Sequence, residues 1–81
     1  MAQDLKDKAR TLKPIVIIGK FGLTDNQVEE IKKVLRTQKL IKIKLLQSVS
    51  TDPQLLAEEI GAKTSSKVIS VVGKMIVVWK R

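Results

Sequence analysis

The residues best suited to chemistry in this sequence are a lysine and a phenylalanine held between two glycines, Gly19-Lys20-Phe21-Gly22, directly after the apolar run "IVII". Glycine lacks a Cβ atom, so the backbone at Gly19 and Gly22 can adopt positive φ and approach another chain closely. Lys20 offers a charge-assisted hydrogen bond to an anion. Phe21 can stack on a nucleobase if it is exposed, or it can fold back and cover the edge of the core. Both roles for Phe21 are open at this stage.

The loop leads into the predicted start of a helix over residues 24–38. Thr24 followed by Gln27 three residues later is typical of a capping box, and Asp25 adds negative charge to the first turn. Free amide groups and the positive end of the helix dipole favour an anion such as a phosphate. We therefore include Thr24 with the four loop residues in one predicted binding site.

Catalytic and metal-binding chemistry finds little support in the residue types. The chain has no His and no Cys, so the commonest bases, nucleophiles and zinc ligands are missing. Glu58-Glu59 is the best metal candidate, but such a pair is more often a solvated helix face. The G-x-x-G segment does not match the phosphate loop of nucleotide hydrolases, which needs four residues between its glycines. We expect no enzymatic activity, no cofactor and no metal.

Charge is the strongest global signal. Sixteen lysines and arginines face eight aspartates and glutamates, which gives a net charge of +8, with an isoelectric point near 10.1. Such an excess points to a polyanion, with nucleic acid first and an acidic membrane surface second. A lysine-rich surface that serves solubility or thermal stability is the alternative.

Basic residues outside the loop extend the predicted interface. They are Lys13, Arg36, Lys39, Lys42, Lys44 and Lys74. Lys42 and Lys44 share one face of a predicted strand, whereas Arg36 and Lys39 lie at a helix C-terminus, where cations also favour the dipole. Local electrostatics is therefore an alternative role for the latter two. Trp79 is expected to pack on the sheet rather than to stack on a ligand.

Hydrophobic periodicity and turn residues predict the order αβαβαββ. The elements are a helix over 4–12, a buried strand over 14–19, a helix over 24–38, a half-exposed strand over 40–46, a helix over 53–60 and two terminal strands split at Gly73-Lys74. The helix over 53–60 has Asp52 as N-cap and Gly61 as stop, and it should bury Leu55, Leu56 and Ile60. These elements predict one α/β domain over residues 1–81, with a mixed four-stranded sheet packed against helices and its first two strands parallel.

The ordered motifs resemble the CRM domain, named for chloroplast RNA splicing and ribosome maturation. "LKPIVIIGKFGLTDNQVEEI" is similar to the N-terminal half of that family, in which Leu-Lys-Pro, an apolar strand, G-x-x-G and Leu-Thr follow one another. "KLIKIK" and "VGKMIVVWKR" resemble its later strands, so the likeness covers residues 5–81. Two features depart from the pattern: a short segment after strand 40–46, and Trp79 where tyrosine is more usual.

The resemblance implies a fold similar to the C-terminal domain of bacterial translation initiation factor three. It also implies RNA binding, with the G-x-x-G loop acting as in KH domains. Stand-alone bacterial members associate with precursors of the large ribosomal subunit, and plant organellar members act in group II intron splicing. We therefore expect a monomeric ribosome-assembly factor that binds ribosomal RNA. It should be cytoplasmic and without a membrane partner, because no targeting or transmembrane segment is visible.

Two other functions fit the same charge. The chain could coat double-stranded DNA as a small, dimeric chromatin-type protein. It could instead be a structural adaptor whose basic face docks an acidic protein, in which case the G-x-x-G segment is only a turn.

Overall fold

A computed structural model describes residues 13–80, so the predicted helix over 4–12 and Arg81 lie outside the described residues. The described elements are β1 (Val16–Ile18), α1 (Asp25–Gln38), β2 (Leu40–Leu45), α2 (Pro53–Thr64), β3 (Ser66–Val72) and β4 (Met75–Lys80). Their order agrees with the predicted βαβαββ part of the chain.

The four strands form one mixed sheet in the order β1-β2-β4-β3. β1 and β2 are parallel, with Val16 opposite Ile43, and α1 connects them. β4 pairs antiparallel with β2 on one side and with β3 on the other. The α/β class and the mixed four-stranded sheet are thus confirmed, as is the parallel pairing of the first two strands.

Both helices pack on one face of the sheet, which we call the helix face. α1 buries Val28, Ile31 and Leu35 there. α2 buries Leu56, Ala57, Ile60 and Thr64. The prediction that Leu55 is buried is wrong, since it is 60% exposed. Leu56 and Ile60 are four residues apart and share one stripe of the helix, and Leu55 lies outside that stripe.

The helix starts follow the predicted capping. At α1 the Thr24 side chain accepts from the backbone of Gln27, and the Gln27 side chain accepts from the backbone of Thr24. At α2 the Asp52 carboxylate accepts the Gln54 N–H at 2.9 Å, and Pro53 occupies the first turn. Each such cap stabilises a helix by about 1 kcal/mol because it satisfies a backbone donor that otherwise has no partner.

Gly61 does not end α2, contrary to the prediction. The helix continues to Thr64, and Ser65 takes the left-handed conformation at the C-cap. A Cβ atom on Gly61 would lie 3.2 Å from the Ser66 carbonyl oxygen and 3.4 Å from Val68 Cγ2. Glycine is therefore favoured because the start of β3 passes close to the helix, and helix-stop rules do not detect such packing between elements.

β1 is only half buried, although its apolar run predicted a buried strand. Val16 and Ile18 enter the core, whereas Ile17 between them is 52% exposed. Side chains alternate along a strand, so Ile17 belongs to the opposite face of the sheet. No helix among the described residues packs on that face, which we call the open face.

The β3–β4 hairpin turns at Gly73-Lys74, as predicted. Val72 pairs with Met75, which leaves these two residues as the loop. Gly73 has φ +57°, and the positive φ at the first loop position is typical of the type II′ turn that suits a two-residue hairpin.

Lys39 joins α1 to β2 in an unfavourable backbone conformation. Its φ is +62° and its ψ −35°. Its N–H donates to the Leu35 carbonyl at 3.1 Å, and its carbonyl accepts the Lys80 N–H at 2.7 Å. The ends of two elements therefore fix a conformation that glycine adopts more readily than lysine.

Replacing this residue, Lys39→Gly, should raise the free energy of unfolding by about 0.5 kcal/mol. Removing the positive-φ penalty of about 1–2 kcal/mol outweighs the entropic cost of glycine. Urea unfolding followed by circular dichroism measures the change. The matched control is Lys33→Gly on the exposed side of α1, which should lower stability by about 1 kcal/mol. Loss of stability in both variants would contradict the assignment of strain to Lys39.

Candidate nucleic-acid interface

The Gly19–Gly22 loop is a tight turn with its two large side chains at the apex. The Gly22 N–H donates to the Gly19 carbonyl at 2.9 Å, and Gly22 has φ +71°. Lys20 is exposed, and Phe21 is 88% exposed. The structure therefore excludes the alternative in which Phe21 covers the core, and it presents the ring and the ammonium group together.

Gln27 fixes the loop to the helix that follows. Its Nε2 donates to the Ile17 carbonyl at 2.8 Å, and its Oε1 accepts the Thr24 N–H at 3.4 Å. The sequence pattern predicted the second contact but not the first, because the distance between Gln27 and Ile17 depends on how β1 and α1 pack. One amide side chain thus links the last turn before α1 to the strand that enters the loop.

The helix start offers less to an anion than the sequence suggested. The N–H groups of Thr24 and Gln27 are engaged in the capping box, and the Thr24 hydroxyl accepts from Gln27 at 3.2 Å. Asp25 adds a carboxylate to the first turn. In contrast, the N–H groups of Lys20 and Phe21 donate to no acceptor within residues 13–80. The N–H groups of Asp25 and Asn26 likewise donate to no acceptor within these residues, so donors without a partner there lie both in the loop and in the first turn of the helix.

Strand pairing brings two more of the predicted residues, Lys44 and Lys74, to the end of the sheet that carries the Gly19–Gly22 loop. The Leu46 N–H donates to the Ile18 carbonyl at 2.9 Å, and the Leu45 N–H donates to the Lys74 carbonyl at 2.7 Å. Lys44 lies opposite Met75, the residue after Lys74. We call this region the loop end; it comprises the Gly19–Gly22 loop, Lys44 to Leu46 and the Gly73-Lys74 turn.

Three other predicted residues lie far from the loop end. α1 has 14 residues, so it carries the chain roughly 21 Å back across the sheet. Arg36 and Lys39 are exposed at its C-terminal end, and Lys13 precedes β1 at the same end. Lys42 lies between the two ends, is half-buried and makes an interaction of its own. The predicted binding residues thus fall mainly into two groups, one at the loop end and one at the opposite end of the sheet. Only the group at the loop end includes Phe21.

Charge is divided sharply between the helices and the rest of the described chain. Six carboxylates belong to the two helices and their caps: Asp25, Glu29, Glu30, Asp52, Glu58 and Glu59. The strands and loops of residues 13–80 outside these helices hold eight lysines and no carboxylate: Lys13, Lys20, Lys39, Lys42, Lys44, Lys67, Lys74 and Lys80. The excess positive charge that would attract a polyanion therefore lies on the strands and loops rather than on the helices.

The ion pairs follow the same division. Lys32 contacts Glu29 at 3.8 Å and Lys63 contacts Glu59 at 3.1 Å, both within helices. Glu29 thus pairs with the lysine three residues further along the helix. Lys20, Lys44 and Lys74 have no carboxylate partner in the part of the chain that the structure describes. Their charges are therefore available to a ligand.

Other kinds of site find no support in the described part of the chain. Residues 13–80 contain no group of three or more His, Cys, Asp or Glu side chains that could hold a metal ion. Neither α1 nor α2 is long and apolar enough to cross a membrane. The glutamates 58 and 59 lie on the surface of α2, and Glu59 already pairs with Lys63.

Comparisons with known proteins agree with the sequence motifs. The model of the family described as "CRS1 / YhbY (CRM) domain" matches residues 1–80. The "Probable RNA-binding protein YqeI" of Bacillus subtilis is 34% identical over 76 residues, which is 94% of this chain and 79% of that protein. The "Probable RNA-binding protein PA4753" of Pseudomonas aeruginosa is 30% identical over 79 residues, which is 98% of this chain and 76% of its own length.

A solved structure supports the fold. The solution structure of the protein SAV1595 from Staphylococcus aureus superposes with a TM-score of 0.85 at 34% identity. The superposition covers 99% of this chain and 83% of the other.

The two loop glycines should respond differently to alanine. Gly22→Ala places a side chain at φ +71° and should lower the free energy of unfolding by about 1–2 kcal/mol. A Cβ on Gly19 would lie 3.5 Å from Leu46 Cδ1, an ordinary contact, and its φ is not positive. Gly19→Ala should therefore change stability by less than about 0.5 kcal/mol. Thermal and urea unfolding of both variants checks this, and equal losses would contradict the loop geometry described above.

Proposed function

The chain belongs to the CRS1/YhbY (CRM) domain family, and from that premise we propose that it binds RNA through the loop end of its sheet. The observation that supports this most directly is the pairing of an exposed lysine and an exposed phenylalanine at the apex of one fixed turn. Relatives named as RNA-binding proteins are at least 30% identical over most of their length. None of the described residues of the loop end is an aspartate or glutamate, which agrees with a polyanionic ligand.

Phosphate and base would be held by different parts of the turn. The Lys20 ammonium group and the unengaged N–H groups of Lys20 and Phe21 donate to a backbone phosphate. The Phe21 ring stacks on a base next to that phosphate, a contact worth roughly 1–3 kcal/mol. Lys44 and Lys74 extend the contact along the RNA backbone on the same end of the sheet. Thr24 acts as the helix cap that fixes the turn.

The role that follows is binding without catalysis, by a single domain that acts as a monomer. By holding one fold of a ribosomal RNA segment more tightly than its competitors, the protein shifts the population toward that fold. The family resemblance makes precursors of the large ribosomal subunit the proposed target, in the cytoplasm.

RNA binding is tested with Lys20→Ala combined with Phe21→Ala. The double variant should bind a single-stranded RNA about tenfold more weakly, which corresponds to about 1.4 kcal/mol. Its slope of log K against log salt should be less steep by about 0.7, because one phosphate contact is lost. Fluorescence anisotropy over a range of salt concentrations measures both quantities, with circular dichroism to verify the fold.

The matched control is Lys33→Ala combined with Leu55→Ala, which removes an exposed lysine and an exposed leucine from the helices. Its RNA affinity should stay within about twofold of the native value, a difference of roughly 0.4 kcal/mol. Equal weakening by both double variants would show that net charge, not the turn, determines binding. Tight binding of duplex DNA by a stable dimer would favour the chromatin-type alternative. Binding of an acidic protein, with no binding of RNA or DNA, would favour the adaptor alternative.

The assembly role has its own test in cells that lack the gene. Sedimentation of their ribosomes should show precursors of the large subunit accumulating. Reintroducing the native gene should restore the normal profile, and the variant with Lys20→Ala and Phe21→Ala should not. A normal profile in the deletion strain would count against assembly while leaving RNA binding intact.

A further inference from the structure

The open face of the sheet carries an exposed row of side chains that reaches across all four strands. The pairing register aligns Ile17 on β1, Lys44 on β2, Met75 on β4 and Val72 on β3. Ile17 is 52% exposed and Val72 is 71% exposed, while Lys44 is also exposed and Met75 is half-buried. At a spacing of about 4.8 Å between strands, the row is roughly 14 Å long.

The row adjoins the Gly19–Gly22 loop. Ile17 is two residues from Gly19, and its carbonyl is the group that Gln27 holds at 2.8 Å. At the other end, Val72 and Met75 flank the Gly73-Lys74 turn. The lysines at the loop end and the apolar side chains of the row therefore form one continuous surface.

Exposed apolar side chains are concentrated in this surface. Phe21, the most exposed large apolar residue of the described part of the chain, lies at the apex of the loop, and the exposed Leu46 lies beside Gly19. The opposite end of the open face differs, because Leu40 and Val77 are buried there together with the half-buried Ile69. Ile15 and Trp79 are also exposed at that end, but less so, at 37% and 38%. Strongly exposed apolar side chains that lie beside lysines are typical of a binding surface.

The chemistry of the surface distinguishes between forms of RNA. A duplex keeps its base faces stacked inside and presents phosphates and 2′-hydroxyl groups, for which lysines suffice. An unpaired segment exposes its base faces, which are flat and apolar, beside a charged backbone. Ile17, Met75 and Val72 match those faces, and Lys20, Lys44 and Lys74 match the phosphates.

We propose that Ile17, Met75 and Val72 of this row contact the bases of an unpaired RNA segment whose backbone is held by Lys44 and the other lysines of the loop end. This inference rests on the proposed RNA-binding function and extends it, since it assigns single-stranded or looped RNA as the ligand and the open face as the surface that holds its bases. Phe21 and the row then contact successive bases of one strand.

The test uses Ile17→Thr combined with Val72→Thr, which keeps every charge and the β-branched side chains that suit strands. The probes are a short RNA oligonucleotide of mixed sequence and the same strand annealed to its complement. The native protein should prefer the single strand. The variant should bind the single strand about tenfold more weakly, with the same dependence on salt and with unchanged affinity for the duplex.

Leu55→Thr is the control, because it removes a large apolar side chain of similar exposure from α2. It should leave both affinities unchanged. Thermal unfolding of all variants verifies that the fold is kept. A second measurement needs no substitution: in the native complex, the methyl groups of Ile17 and Val72 should show nuclear Overhauser effects to base protons, and those of Leu55 should not.

The outcomes separate the two proposals. The proposal that the row contacts bases would be overturned if the native protein preferred the duplex. It would also be overturned if the variant with Ile17→Thr and Val72→Thr kept its affinity for the single strand, and in either case the Gly19–Gly22 loop would remain the proposed RNA site. Failure of the native protein to bind either RNA would overturn both. If the variant bound vesicles of anionic phospholipid more weakly while its RNA binding was unchanged, the row would be assigned to a membrane surface and the proposed contact with bases would be overturned.

Discussion

The parallel pairing of β1 with β2 is the constraint on which the rest of the structure depends. Parallel neighbours require a crossover, so the chain must leave β1 through the Gly19–Gly22 loop and return along α1 before β2 begins. The loop is therefore anchored by a strand on one side and a capped helix on the other. Because β4 inserts beside β2, the turn at Gly73-Lys74 arrives at the same end of the sheet. One pairing thus gathers the loop and the hairpin turn from distant parts of the sequence.

Local signals predicted the elements well because their causes are local. The capping box at Thr24, the Asp52-Pro53 helix start and the hairpin turn at Gly73 each depend on residues within a few positions of one another. The errors arose where packing between elements decides. Gly61 resembles a helix stop, but a Cβ atom there would lie 3.2 Å from the Ser66 carbonyl oxygen at the start of β3. Ile17 belongs to an apolar run, but an open sheet face leaves it exposed.

The sequence predicted which residues belong to the candidate site, but not how those residues are arranged on the surface. The sequence identified Lys20 and Phe21 through their flanking glycines, yet it could not say that the predicted lysines and Arg36 form two groups. With a screening length of about 8 Å at physiological ionic strength, charges roughly 20 Å apart act almost independently. A polyanion bound at the loop end would therefore be attracted mainly by the lysines of that end.

An exposed phenylalanine is costly in a chain with so small a core. Burying such a side chain contributes about 1.5–3 kcal/mol to folding, and this fold leaves Phe21 in water. The turn that displays it is nevertheless held firmly, through the Gly22–Gly19 hydrogen bond and the contact from Gln27 to Ile17. A side chain with two rotatable angles on a fixed turn loses little entropy when it binds, whereas a lysine loses more for each contact. Such a loss of folding stability at a rigid, exposed position suits a binding site. The hydrophobic free energy that the side chain does not contribute to folding is then gained when a ligand covers it.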